Sequence, residues 1–398
     1  MKSTIPRPLR VVIDGRVMVD HFPGIGRYVY NLVDALGALD EFEDFEIILL
    51  HRPGQSDSRY QIEKLQRHPR VRLYALDAKV FGIASQFKIP SALRALDASV
   101  FHATYWMGAW HSGRPTLLSL YDLIGTTLPG SVPSLKARLL ALALRQAIRG
   151  ADGIVTISEA ARGDIVRSGI RADRVQVTPL AAEASFRPAG ATALQEIRQR
   201  LALPDRMVLY LGINKPHKNL EMLIRAWGQL KAERPELVAD PERGGAGAEL
   251  VIAGRWDPRY DDLKSVAAAL PQPAGIRFLG PVAEHDLPTL YSAAEIFAFP
   301  SRYEGFGLPP LEAMACGTFV IAADATSLPE VVGDAGLLLD PDDQAAWAIS
   351  LATLLADPRK TEALGSQGLK RAQRFSWKAT ALGTLQAYRD IAGPEDRS

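Results

Sequence analysis

The chain has 398 residues, of which 47% are hydrophobic and 23% charged, proportions that suit a globular protein of two or three domains and exclude disorder and fibrous repeats. Lys and Arg total 46 against 45 Asp and Glu, and a net charge of +1 argues against a dedicated nucleic-acid binder. A single cysteine, Cys316, excludes an intramolecular disulfide framework and fits a reducing compartment.

Short apolar runs alternate with longer segments of helical period. In the first half, strands are predicted at Leu9–Asp14, Glu46–His51, Val71–Leu76, Ser99–Ala103, Thr116–Tyr121, Ile154–Ser158 and Val175–Leu180. In the second they fall at Val208–Gly212, Glu249–Gly254, Ile276–Gly280, Ile296–Pro300, Phe319–Ala323 and Gly336–Asp340. Each is rich in Val, Ile and Leu with little alternation, the pattern of strands buried on both faces. Helices are predicted between them, among them Arg27–Leu39, Leu135–Arg149, Asn219–Glu233 and Asp343–Leu355, and Ser376–Ile391 closes the chain.

This is the alternation of parallel α/β sheets, and there are too many strands for one open sheet of usual size. Two doubly wound domains are therefore expected. A Pro/Gly/Ala-rich piece near Ser185–Ala193 places the boundary, giving domains at 1–187 and 188–375 and a final helical segment at 376–398. Pro241–Ala248 reads as a surface loop. Basic residues exceed acidic ones in residues 1–190, and the reverse holds in 191–398, so the halves are expected to meet different partners. No run reaches the roughly 18 apolar residues of a membrane span, and charges interrupt the N-terminal region where a secretory core would lie. A cytoplasmic location is expected.

Ligands of open α/β sheets bind outside the carboxyl ends of the strands, so the segments that follow strands carry the candidates. The segment Pro300–Glu312 runs from a buried strand through Glu304, Gly305, Phe306 and Gly307 into a helix that opens at Leu308 with proline in its first turn. Small residues let backbone N–H groups approach an anion, and the helix N-terminus adds positive potential. Two carboxylates, Glu304 and Glu312, would repel a phosphate and suit sugar hydroxyls; alone, a solvated glutamate and a salt-bridged one give the same pattern. Gly212–Asn219 leaves the first strand of the second half with Lys215 and Lys218 as point charges for a diphosphate and Asn219 as a helix cap. Gly24-Ile25-Gly26 is part of a dinucleotide fingerprint that lacks its third glycine, and the second strand ends at His51-Arg52 without a ribose-binding acid, so a nicotinamide oxidoreductase loses support. His102 ends a strand, with Tyr105 and Trp106 after it, and Asp122 follows another; a buried, hydrogen-bonded histidine is the competing reading. No Cys/His spacing suits a metal, and Cys316 reads as a small buried residue.

Together these residues resemble the retaining glycosyltransferases of family four. The likeness rests on the Glu304-x7-Glu312 spacing with Glu304-Gly305-Phe306-Gly307 and Glu312-Ala313-Met314-Ala315-Cys316-Gly317. It extends to Leu328-Pro329-Glu330, Gly24-Ile25-Gly26-Arg27-Tyr28, Ile157-Ser158-Glu159, Lys218-Asn219-Leu220 and Phe375-Ser376-Trp377, and so covers nearly the whole chain.

The resemblance implies a GT-B fold: two Rossmann-like doubly wound domains facing across a cleft, the first binding acceptor and the second nucleotide sugar, with the C-terminal helix crossing back to the first. It implies retaining, metal-independent, cofactor-free transfer of a hexose, with mannose from GDP-mannose as the expectation, to a glycan or lipid-linked hydroxyl in bacterial polysaccharide or glycolipid synthesis. Glu304, His102 and Lys218 would be catalytic. Gly24, Gly26, Lys215, Arg255, Gly305, Phe306, Gly307, Leu308 and Glu312 would bind donor, Glu312 at the ribose. Tyr105, Trp106 and Asp122 would receive acceptor.

Many members carry arginine where this chain has Ile213 and His217; Lys215 or Arg255 is the expected substitute. The basic first half, with Lys79, Lys88 and the segment Leu135–Arg149, is compatible with peripheral docking on an anionic membrane. The rival on the same architecture is a sugar-nucleotide epimerase or hydrolase.

Overall fold

The computed structural model describes residues 8–392 apart from 41, 43, 81, 107–109, 124–133, 240–246, 261 and 271–274. Among these residues all thirteen predicted strands are present, with ends that shift by a few residues at most. The chain divides into two compact units: Met1–Leu180 with Ser376–Ser398, and Ala181–Phe375. Residues 181–187, expected with the first domain, group with the second; there the Phe186 ring packs on Tyr291 at 6.1 Å.

The first unit is a seven-stranded sheet in the order β3-β2-β1-β4-β5-β6-β7. Its strands are β1 (Leu9–Asp14), β2 (Phe45–His51), β3 (Val71–Ala75), β4 (Val100–Ala103), β5 (Thr116–Ser119), β6 (Gly153–Thr156) and β7 (Val175–Val177). All pairs are parallel, as Val12↔Ile48 and Val12↔Phe101 illustrate. One sheet face, with Val12, Ile48, Phe101, Leu118 and Ile154, packs under Ile89 and Leu93 of the helix Ser85–Ala95 and Ala147 of the helix Ser134–Gly150. The chain's last helix, Trp377–Ile391, packs on the helix Pro23–Gly37 and on β5 and β6. Ser376 starts that last helix by accepting a hydrogen bond from the Ala379 N–H at 3.1 Å, the N-cap that satisfies an otherwise orphaned donor.

The second unit is a six-stranded parallel sheet in the order β10-β9-β8-β11-β12-β13. These are β8 (Met207–Leu211), β9 (Glu249–Ala253), β10 (Ile276–Gly280), β11 (Ile296–Phe299), β12 (Phe319–Ala323) and β13 (Leu337–Leu339). In both units the order reverses at the first strand, so the loops after β1 and β4, and after β8 and β11, border a topological switch point. Of the surface loop expected at 241–248, residues 241–246 lie outside the described residues. Among the described residues, no helix is long and apolar enough to cross a membrane.

Candidate active site

In the second unit, Lys218 ends a short 3-10 turn, Pro216–Lys218, that leaves β8, and Glu304 lies in the loop that leaves β11. Their side chains form an ion pair of 2.6 Å and are only 16% and 13% exposed. Lys218 Nζ also stands 5.4 Å from the centre of the Phe299 ring, a cation–π contact. The two loops are tied through backbone: the Arg302 N–H donates to the His217 carbonyl at 2.8 Å, and Ser301 Oγ donates to the same oxygen at 3.2 Å. Glu304 is held from below, since its N–H donates to Thr326 Oγ1 at 3.0 Å and its carbonyl accepts from Ser327 Oγ at 3.0 Å.

The glycine loop then turns into the helix Leu308–Ala315. Gly307 has φ +107°, a conformation that favours glycine, and a Cβ there would also press on Leu328 Cδ2 at 2.7 Å. Beside it, the Phe306 ring is buried edge-on against Phe375 at 5.8 Å, and its carbonyl accepts from Ser327 Oγ at 2.8 Å. Glu312, expected to face the crevice, is 2% exposed and accepts a hydrogen bond of 3.0 Å from the Tyr291 hydroxyl.

On the phosphate side, Lys215 is half-buried and Arg255, just past β9, is exposed. Asn214 welds their loops. Its Oδ1 accepts from the Asp257 N–H at 2.6 Å, while its Nδ2 donates to the carbonyls of Asp257 and Tyr260 at 3.0 and 2.9 Å. His217 does not replace a missing arginine: burial first, then Lys218 and Lys215, lower its pKa to about 4, so the ring is neutral near pH 7. Asn219 is not the expected side-chain cap; it sits at φ +56° and its Nδ2 donates to the Pro341 carbonyl at 2.7 Å. Cys316 is buried, and burial next to Glu312 pushes its thiol up to about 12, as an inert cysteine requires.

In the first unit the helix starts earlier than its periodicity suggested, at Pro23 rather than Arg27, because proline in the first turn lets it begin there. Gly24 and Gly26 are therefore first-turn residues. Gly24 is exposed with open space around it, and Gly26 is buried, 3.4 Å from Asp57 Oδ2 at the position a Cβ would occupy. After β4, the half-buried Tyr105 ring lies 5.5 Å from Phe22 and 5.4 Å from Trp106, which itself packs on the core. Burial, and after it the charge of Asp122, raises the Tyr105 pKa.

His102 is a correction. Its ring is fully buried, with Nδ1 at 2.7 Å from the Tyr388 hydroxyl and Nε2 at 2.8 Å from Ser119 Oγ. Ser119 Oγ in turn donates to the Tyr28 hydroxyl at 3.2 Å. Burial lowers the pKa of His102 to about 3. The strand-end histidine is an internal joint between β4, β5 and the last helix, with no face for a reacting sugar.

Sequence reasoning passed over Asn214, Tyr291, Thr326 and Ser327. The strand-end rule points to Thr326 and Ser327, which follow β12, and to Asn214, which follows β8. Tyr291, on a helix that precedes β11, carries no such signal.

Residues 194–371 match the family model described as glycosyl transferases group 1, and residues 23–181 match the glycosyl transferase 4-like domain. HepE of Anabaena, solved with UDP and glucose, is similar in fold with a TM-score of 0.71 at 20% identity, over 96% of this chain and 100% of that one. Two doubly wound units with charged strand-end loops thus form a GT-B glycosyltransferase fold. The chain is 32% identical to O-antigen chain mannosyltransferase B of Escherichia coli, over 92% of this chain and 96% of that protein. It is 30% identical to a D-inositol 3-phosphate glycosyltransferase of Salinispora arenicola, over 96% and 92% of the two chains. The chain belongs to the family-four glycosyltransferases and is an enzyme of that class.

Proposed function

We propose that this glycosyltransferase moves mannose from GDP-mannose to a hydroxyl of a glycan or lipid-linked acceptor, with retention of configuration and without a metal ion. The observation that carries the reading is the Lys218–Glu304 pair at the switch point of the second unit. The mannosyl donor is supported by the similarity to a mannosyltransferase along almost the whole chain.

In this reading the bond from the sugar C1 to the diphosphate oxygen breaks and the acceptor oxygen bonds C1 on the same face. The acceptor proton passes to the departing diphosphate. Lys218 stabilises that diphosphate, with Lys215 and Arg255 as further cations, so fixed positive charge does the electrostatic work proposed without metal. Because Lys218 is closed on Glu304, donor binding shares or opens the pair, leaving Glu304 to accept from hydroxyls of the transferred sugar. The backbone of Gly305–Leu308 cradles sugar and diphosphate, and Glu312 accepts from the ribose. Gly24 and Gly26 let donor phosphate approach the first helix, while Tyr105 and Trp106 offer faces, and Asp122 a carboxylate, to the acceptor.

The partner of the acceptor side is proposed to be an anionic membrane surface. Ile83 is 81% and Phe87 73% exposed, and Lys79 and Lys88 beside them are exposed as well. Exposed large apolar side chains flanked by lysine suit an interface of headgroups and acyl chains.

The test is a thermal-shift panel of GDP, UDP, dTDP and ADP with their common sugars, in EDTA, followed by the anomeric assignment of the product by NMR. A ligand that binds the folded state raises its melting temperature. A response to GDP and GDP-mannose with an α-linked product is expected. A response confined to another base, a requirement for added metal, or inversion at C1 overturns the corresponding part of the proposal.

A further inference from the structure

Tyr291 lies on the short helix Leu287–Ser292 that precedes β11 and is fully buried. Its carbonyl accepts from Thr318 Oγ1 at 2.6 Å, and its hydroxyl donates to Glu312 Oε2 at 3.0 Å. The ring meets Phe297 edge-on at 5.2 Å; Phe297 stacks on Phe299 at 5.7 Å, and Phe299 on Tyr210 at 6.4 Å. The far end of this aromatic column repeats the device. There the Tyr210 hydroxyl donates to the Ile213 carbonyl at 3.2 Å, in the loop that carries Lys218, and Lys218 itself lies over Phe299.

A column of interlocked rings thus runs beneath the site with a phenol at each end, one fixing the lysine loop and the other the carboxylate of Glu312. Buried at 2% exposure, Glu312 cannot take its orientation from bulk water. A carboxylate has two oxygens and about four acceptor positions, so a phenol held rigidly on Oε2 sets the direction in which the rest point.

We propose that Tyr291 is a positioning residue: it orients the Glu312 carboxylate to accept hydrogen bonds from the ribose hydroxyls of the nucleotide donor. This rests on the ribose role proposed for Glu312 above. Tyr291 itself does not touch the donor.

The experiment is calorimetric titration of the full chain, as wild type, Tyr291→Phe, Tyr210→Phe and Glu312→Gln, with GDP, UDP and their 2′-deoxy and 3′-deoxy forms. A hydrogen bond to a charged group corresponds to about tenfold or more in affinity, so wild type is expected to prefer the ribonucleotide by that factor. Tyr291→Phe should shrink the preference to within about threefold while circular dichroism stays that of wild type. Tyr210→Phe removes the hydroxyl at the other end of the same column and should leave the ribose preference intact. If Glu312→Gln loses the preference and Tyr291→Phe keeps it, the positioning role is overturned. Equal losses in both tyrosine variants also overturn it, since general loosening of the column then explains the effect. A wild type that does not distinguish ribose from deoxyribose, or a Glu312→Gln variant that still does, overturns the ribose reading itself.

Discussion

Replacing Lys218 by methionine separates what the ion pair does for folding from what it does for transfer. Both side chains of the 2.6 Å pair are less than one-fifth exposed, at 16% and 13%, so solvent screens them little. Removing one partner of a fully buried pair costs about 3–5 kcal/mol, because the remaining charge is left uncompensated. With the residual exposure of Glu304, a loss of about 2–3 kcal/mol is expected for Lys218→Met. A kcal/mol moves the melting temperature of a unit this size by roughly 2–4 °C, so the midpoint should fall by roughly 4–12 °C.

Adding Glu304→Gln removes the stranded charge, and the double variant should recover most of that stability. Activity should behave differently. Deleting a group that stabilises charge in the transition state typically lowers kcat by about 100- to 1000-fold. The double variant still lacks the Lys218 cation at the diphosphate and so should keep the loss in kcat. The assays are differential scanning calorimetry and initial rates of sugar transfer on wild type, Lys218→Met and the double variant. Transfer that returns together with stability in the double variant, or a Lys218→Met enzyme within about threefold of wild-type kcat, would refute the electrostatic role.

His102 gives the first unit an acid-sensitive joint. Burial depresses its pKa from 6.5 to about 3, so between those values the unfolded chain holds the extra proton, and stability falls by about 1.4 kcal/mol per unit as pH drops. His102→Gln should lose this part of the acid dependence in pH-series denaturation; parallel curves for the two proteins would contradict it. At the surface, Ile83→Asp with Phe87→Asp should reduce flotation with vesicles containing anionic phospholipid. Unchanged flotation would remove that face from any membrane contact.

Much of this architecture was written in local composition. Strands buried on both faces leave uninterrupted apolar runs, which is why all thirteen were legible among the described residues, together with the α/β class. The spacing from Glu304 to Glu312 and the lysine after β8 were equally plain, because a strand end, a glycine turn and a helix start leave contiguous signals. Three local readings failed where a neighbour decided the matter. The first helix begins at Pro23 rather than Arg27, Asn219 holds the N-cap position but sends its side chain to the Pro341 carbonyl, and residues 181–187 join the second unit.

Burial and long-range pairing belong to tertiary structure alone. His102 has the sequence context of a site residue, yet Tyr388, contributed from the far end of the chain, closes over it. Nothing beside Glu312 in sequence announces that the Tyr291 hydroxyl holds it, and nothing near Asn214 announces that it welds the loop at Asp257. Residue type and spacing fix which groups are available at a strand end. Which of them meet solvent, and which are spent on one another, depends on contacts between segments remote in sequence, and those exist only once the sheets have formed.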